Sequence, residues 1–179
     1  MSRYGMVIDT RNCVGCHACR MACQNRNDLL ADESFIRFFD LETGIVPAVA
    51  GETAPTQCMQ CDDAPCAAVC PTGATHVNDK GIVAVDDTRC IGCKYCMAAC
   101  PYHARVVNSQ TGVVDKCRLC VAYAEEGSHP VNCVSACPGK VRIFGDLDDP
   151  ASEVSRAIVE TNAQPLAKNL SNAKFFYVR

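Results

Sequence analysis

Cysteine spacing constrains this chain more than any other feature. Sixteen cysteines stand among 179 residues and fall into four groups of four, with none left over. The first is Cys13, Cys16, Cys19 and Cys23, spaced x2, x2, x3. The second is Cys58, Cys61, Cys66 and Cys70, spaced x2, x4, x3. The third, Cys90, Cys93, Cys96 and Cys100, repeats the spacing of the first. The fourth is Cys117, Cys120, Cys133 and Cys137, spaced x2, x12, x3. Proline follows the last cysteine of three groups, as Pro71, Pro101 and Pro138; Gln24 stands there in the first.

Three chemistries compete for such a pattern. A disulfide framework suits an even, dense cysteine count. Against it, no secretory signal is visible, disulfides are rare in the cytosol, and C-x2-C-x2-C-x3-C crowds thiols too closely for simple pairing. Structural zinc uses two C-x2-C pairs set apart by a longer loop. The second and fourth groups resemble that arrangement, but the first and third do not. The run C-x2-C-x2-C-x3-C-P is that of bacterial [4Fe–4S] ferredoxins. Its x2 spacing wraps the backbone around three corners of a cubane, and Gly15 and Gly92 ease the wrap at matching places. Four complete motifs therefore predict four [4Fe–4S] clusters.

The chain also repeats itself. Residues 9–23 align with 86–100 without a gap, matching Asp9 to Asp86, Gly15 to Gly92 and all four cysteines. The expected fold is α+β, with two bacterial-type 2[4Fe–4S] ferredoxin-like modules, one inserted in the other. Residues 55–108 form the inserted central module, with strands at 75–77, 82–85 and 104–108 around an Asn78–Gly81 turn. Residues 1–54 and 109–150 form the outer module, with strands at 4–8 and 141–144. An added hairpin spans 35–49, its strands 35–39 and 45–49 flanking a Glu42-Thr43-Gly44 turn. Residues 151–179 form a C-terminal helix and tail. Asp149 is expected to cap that helix, with Pro150 at its first position. The apolar end, Phe175-Phe176-Tyr177, packs either on a neighbour or on its own body.

In paired clusters the fourth cysteine of each motif ligates the other cluster. The rule predicts Cys13, Cys16, Cys19 and Cys137 for cluster 1, and Cys117, Cys120, Cys133 and Cys23 for cluster 2. Cluster 3 takes Cys58, Cys61, Cys66 and Cys100, and cluster 4 takes Cys90, Cys93, Cys96 and Cys70.

Four saturated clusters read as an electron wire, since no iron is left open to a substrate. No catalytic triad, Walker loop or G-x-G-x-x-G turn appears, so no catalytic site of its own is expected. His17, Lys94, Tyr95, Tyr102, His103, Lys116, Arg118 and Lys140 lie beside cysteines. They serve either to adjust the clusters and meet partners, or simply as solvated surface. Asp62-Asp63 reads as a turn. The formal charge of −3 argues against nucleic acid, and adding roughly −2 per oxidised cluster brings the loaded protein near about −11. No apolar run reaches the roughly 18–20 residues of a membrane span. The first residues enter a strand-like stretch at once, without an apolar signal region, so export would depend on a partner.

The four motifs in this order resemble the iron–sulfur subunits of membrane-associated molybdopterin oxidoreductases. These include the dimethyl sulfoxide, polysulfide, thiosulfate, tetrathionate and arsenate reductases. Residues 4–150 carry the likeness, with Cys13-Val14-Gly15-Cys16, Pro71-Thr72-Gly73-Ala74 and Gly145–Pro150 closest to the polysulfide and arsenate branch. The resemblance implies electron transfer between an integral membrane, quinone-reactive subunit of the polysulfide-reductase type and a catalytic subunit holding molybdenum or tungsten on molybdopterin. It turns cluster 1 toward the active site and cluster 4 toward quinone, making Lys94, Tyr95, Tyr102 and His103 candidate quinone-side contacts. It implies a peripheral, membrane-associated place, on the periplasmic side after export with a twin-arginine-bearing partner, or on the cytoplasmic side. Two other settings stay open: a wire in a hydrogenase or formate-hydrogenlyase complex, and a free soluble polyferredoxin.

Overall fold

The computed structural model describes residues 3–120, 131–167 and 170–179. Most of the long spacer of the fourth motif, residues 121–130, lies outside them.

Strand β1 (Tyr4–Asp9) reads as an apolar run without polar alternation, the signature of a strand covered on both faces. It is the central strand of a three-stranded sheet. On one side β8 (Arg142–Asp146) pairs antiparallel, Tyr4 opposite Asp146 and Ile8 opposite Arg142. On the other β9 (Phe175–Val178) pairs parallel, Met6 opposite Phe175 and Asp9 opposite Val178. Side chains alternate between faces. Met6, Ile8, Phe175 and Tyr177 face the cysteine-rich core. Val7 and Val178 face helix α5 (Glu153–Thr161), where they meet Val154 and Ala157. Full burial of an aliphatic side chain contributes about 1.5–3 kcal/mol, so Met6, Val7 and Ile8, each at most 1% exposed, anchor the sheet.

The apolar C-terminus thus packs on its own body, with Phe175 and Tyr177 buried and the Tyr177 hydroxyl donating to the Pro55 carbonyl at 3.2 Å. Helix α5 starts later than the sequence suggests. Its N-cap is Ser152, whose hydroxyl oxygen accepts from the Ser155 N–H at 3.2 Å. The Asp149 carboxylate instead accepts from the Ala151 N–H at 2.8 Å, which spends it on the turn upstream.

The added hairpin is longer than expected and reverses elsewhere. Its strands are β2 (Arg37–Ile45) and β3 (Ala48–Thr56), and the chain turns back at Val46-Pro47. Glu42, Thr43 and Gly44 lie inside the ladder, opposite Gly51, Ala50 and Val49. The stretch 45–49 therefore does not run as one strand: Ile45 ends β2 and Ala48 opens β3, with Val46-Pro47 as the turn between them. The outer half of the hairpin is exposed, and its base at Ala54, Pro55 and Thr56 is buried.

Two small hairpins follow. β4 (Thr75–Val77) pairs with β5 (Val83–Val85), across a turn in which the Asn78 side chain accepts from the N–H groups of Lys80 and Ile82. β6 (Arg105–Val107) pairs with β7 (Val114–Lys116), a partner the sequence pattern leaves unassigned. Asn108 plays the part of Asn78 there, accepting from Gln110 and Thr111. The remaining helices are α1 (Ala18–Arg26), α2 (Pro65–Ala68), α3 (Tyr95–Ala98) and α4 (Asn132–Ser135). α1 packs on α4 and α2 packs on α3. Among the described residues, no helix is long and apolar enough to cross a membrane.

Candidate metal centres

In all four motifs the residue just before the second cysteine is left-handed. Gly15 has φ 63°, Gln60 48°, Gly92 67° and Leu119 62°. Glycine adopts this conformation readily, whereas Gln60 and Leu119 are held there by burial. The Gln60 amide donates to the Cys117 carbonyl at 2.8 Å, and its oxygen accepts from the Val83 N–H at 3.0 Å. His17 and Lys94 add a second left-handed residue to the first and third motifs, directly before α1 and α3. Each helix carries the third cysteine of its motif in its first turns. In α1 the x3 spacing sets Cys23 one helical turn after Cys19, whereas Cys70, Cys100 and Cys137 follow two residues after the ends of α2, α3 and α4.

These loops bring thiols of different motifs together, four in each of two recesses. One recess is lined by Cys13, Cys16, Cys19 and Cys137, with Phe38, Pro55 and Arg142. A second is lined by Cys23, Cys117, Cys120 and Cys133, with Met6, Ile36 and Gln57. Each holds three cysteines from one motif and one from the other. In the central segment, the Cys61 thiol is opposed by those of Cys58, Cys66 and Cys100, and Cys96 by Cys66, Cys70 and Cys90. Among the described residues, no three Cys, His, Asp or Glu side chains converge on one point as ligands of a single ion do. The thiols ring a space instead.

Half of the sixteen thiols are buried, which disfavours the thiolate. Burial pushes Cys23 up to about 12, with the thiols of Cys133 and Cys120 adding to the effect. Burial also pushes Cys61 up to about 11, against the Ser171 hydroxyl that donates to its sulfur at 3.1 Å. Cys117 rises well above the ordinary thiol value, again through burial. Cys70 is the exception. Burial raises it, but the Thr75 N–H at 3.4 Å and the Thr72 hydroxyl outweigh that and bring it to about 7. Buried thiols in fours are metal ligands in waiting, because iron replaces their protons with a cation.

The buried arginines test whether an anionic cluster fits. Arg142 donates from Nη1 to the Gln57 oxygen at 2.8 Å and lies 3.9 Å from the Cys133 sulfur. Its Nε and Nη2 meet no hydrogen-bond partner. Arg105 donates from Nη1 to the Thr75 hydroxyl at 3.2 Å, and its Nη2 is likewise unmet. Leaving a buried cation so poorly paired costs several kcal/mol. Clusters of net negative charge, ligated by the very thiols these groups face, would balance it. The residues present fit [4Fe–4S] clusters.

The sequence reading missed Arg105 and Arg142, although a signal was there: each stands fifth after the last cysteine of its motif. It also missed Gln60 and Ser171. Of the residues it singled out, Lys94, Tyr95, His103 and Lys140 are exposed, and the His17 ring stacks on Phe38 at 4.0 Å between centroids. Tyr102 is half-buried, its hydroxyl 3.2 Å from Ser171. Lys116 is fully buried, and Arg118 pairs with Asp115 at 2.5 Å. Asp62 and Asp63 do more than turn the chain. Asp62 pairs with Arg3 and Lys174, and Asp63 accepts from Asn172, so the acidic pair ties the C-terminal segment over the second motif.

Residues 49–147, which hold the second, third and fourth motifs, match the family of 4Fe-4S dicluster domains. The chain is therefore a ferredoxin-like iron–sulfur protein. It is 39% identical to the thiosulfate reductase electron transfer subunit PhsB of Salmonella typhi, over 99% of this chain and 93% of that one. It is 41% identical to the B polypeptide of the sulfite dehydrogenase of Allochromatium vinosum, over 93% and 78%. It is 38% identical to the B polypeptide of the polysulfide reductase of Wolinella succinogenes, over 87% and 83%. The chain belongs to this family of iron–sulfur electron-transfer subunits.

Proposed function

We propose that the chain carries electrons through four [4Fe–4S] clusters between a quinone-reactive membrane subunit and a molybdopterin catalytic subunit. The observation that carries this is the composition of the two recesses, each ringed by three cysteines of one motif and the fourth of another. That is the crossed ligation of a two-cluster ferredoxin, and it supports cluster 1 on Cys13, Cys16, Cys19 and Cys137 and cluster 2 on Cys117, Cys120, Cys133 and Cys23. The thiols around Cys61 and Cys96 support cluster 3 on Cys58, Cys61, Cys66 and Cys100 and cluster 4 on Cys90, Cys93, Cys96 and Cys70. The packing of α1 on α4 and α2 on α3 favours an outer module of 1–54 and 109–150 around a central one of 55–108, with 151–179 sealing them.

The relay runs in the order 1, 2, 3, 4. Cys117 and Cys58 face each other across the middle. The ends lie near the surface, since Cys16 and Cys93 are exposed beside the exposed Val14 and Ile91. Cluster 1 serves the catalytic subunit and cluster 4 the quinone side, where exposed Lys94, Tyr95 and His103, with Tyr102 behind them, are the contact candidates. The protein does no substrate chemistry of its own. When bound, the clusters supply one-electron exchange; the chain spaces them, excludes water and sets their electrostatic surroundings. It sits at the membrane through its partners. The relatives named above serve a dehydrogenase as well as reductases, which fits a relay whose direction its partners set.

Iron and sulfide analysis of the purified complex tests the count: about sixteen irons per chain are expected, and about four would reject the relay. Replacing Cys137 with Ser tests the crossing. Loss of the first motif's EPR signal is expected; loss of the fourth motif's own signal instead would overturn it. Co-purification with a nickel–iron subunit, or without any partner, would favour the hydrogenase or free-ferredoxin readings.

A further inference from the structure

Four cations are buried to 2% exposure or less: Lys174, which pairs with Asp62, and Arg142, Lys116 and Arg105, which face thiols. Each of the last three stands between two thiol sets. Arg142 lies 3.9 Å from the Cys133 sulfur of set 2 and also faces Cys19 of set 1. Lys116 donates from Nζ to the Cys117 carbonyl at 2.8 Å and faces the thiols of Cys117 in set 2 and Cys58 in set 3. Arg105 faces Cys66 and Cys58 of set 3 and Cys96 of set 4. The chain therefore alternates: set 1, Arg142, set 2, Lys116, set 3, Arg105, set 4. No carboxylate is paired with any of the three among the described residues, and both arginines keep N–H groups without a partner.

We propose that Arg142, Lys116 and Arg105 are junction cations of the relay, each raising the reduction potentials of the two clusters it separates. The inference rests on the four-cluster reading above. An oxidised cubane with four thiolates carries roughly −2 and gains another negative charge on reduction. Two such clusters in succession repel, and each electron passed on makes its receiver more negative. A fixed positive charge between them favours the reduced form of both, and in a water-poor interior that preference is weakly screened. An electron moving from one cluster to the next then stays beside the same cation. A cation needed only to hold the fold would not select the two clusters flanking it.

The test uses the complex as purified, with neutral variants Arg142→Gln, Lys116→Gln and Arg105→Gln and charge-keeping variants Arg142→Lys, Lys116→Arg and Arg105→Lys. Clusters are followed by EPR during potentiometric titration, assigned through the ligand variants, with iron counted in each sample. Each neutral variant should raise the oxidised-to-reduced ratio at fixed potential about tenfold or more, ~59 mV for a one-electron couple. The change should fall on the two flanking clusters alone: 1 and 2 for Arg142, 2 and 3 for Lys116, 3 and 4 for Arg105. The charge-keeping variants should stay within about threefold of the unaltered complex. Unmoved midpoints in a neutral variant with full iron would overturn the proposal, as would equal shifts in all four clusters. Where a neutral variant loses iron, its charge-keeping partner decides: kept iron with unmoved midpoints supports, and a tenfold shift overturns. Fewer than four clusters in the unaltered complex would defeat the four-cluster reading instead, which iron count and spin integration report without any midpoint.

Discussion

Ser171→Ala should lower the potential of cluster 3 and leave the other clusters unmoved. The Ser171 hydroxyl donates to the Cys61 sulfur at 3.1 Å, and Tyr102 lies 3.2 Å from the same serine oxygen. Because the serine proton points at sulfur, the tyrosine O–H donates to the serine, and the two form a short polarised chain. A hydrogen bond to a charged group contributes about 1.5–3 kcal/mol. It is stronger to the more negative, reduced cluster, so about a third of that, ~0.5–1 kcal/mol, separates the two redox states. With 1.4 kcal/mol equal to about 59 mV for one electron, the expected fall is about 20–40 mV. Tyr102→Phe should lower the same cluster by less than half as much, since it removes only the polarising donor. EPR-monitored potentiometry on the intact complex, with iron counted, reads both. No shift at full iron in Ser171→Ala, or a shift confined to cluster 4, would refute the reasoning. A Tyr102→Phe variant that slows quinone turnover without moving cluster 3 would assign the tyrosine to the membrane contact instead.

Phe175→Ala removes a fully buried ring from β9 and should cost about 3–5 kcal/mol, read as faster cluster bleaching in guanidinium. Gly92→Ala puts a Cβ at φ +67° and 3.1 Å from the Gly112 carbonyl. A penalty of about 1–2 kcal/mol should weaken iron retention by the third motif, while Gly51→Ala, where a Cβ meets nothing within 4 Å, should be silent. Because burial holds Cys23 and Cys61 protonated, at about 12 and about 11, ligation must expel their protons. Cluster assembly into the apo-chain should therefore rise from pH 6.5 to 8.5 and release protons into weakly buffered solution; uptake that falls over that range would contradict it.

Much of the site is legible before any fold is known. A thiol motif is a local object, its x2 spacing curling one loop, so which cysteines make up a motif follows from counting. The apolar run at β1, the Asn78–Gly81 turn and the repeat of the first motif in the third are local in the same sense. The added hairpin differs from its local signal, since Glu42-Thr43-Gly44 resembles a turn while the chain reverses at Val46-Pro47.

What counting cannot reach is convergence. Arg105 and Arg142 share a register position after their cysteines, yet nothing short of packing tells that both point inward and meet thiols from two motifs. Leu119 and Gln60 take the left-handed place that glycine takes elsewhere, because burial and, for Gln60, two hydrogen bonds hold them there. Ser171 reaches Cys61 across 110 positions, carried by a tail whose apolar end chose its own sheet over a neighbour. The sequence by itself determined the cysteine motifs and the class of protein, since these depend on residue type at short spacing. Only the tertiary structure decided which charges and donors surround each group, because those neighbours come from segments that share no local pattern.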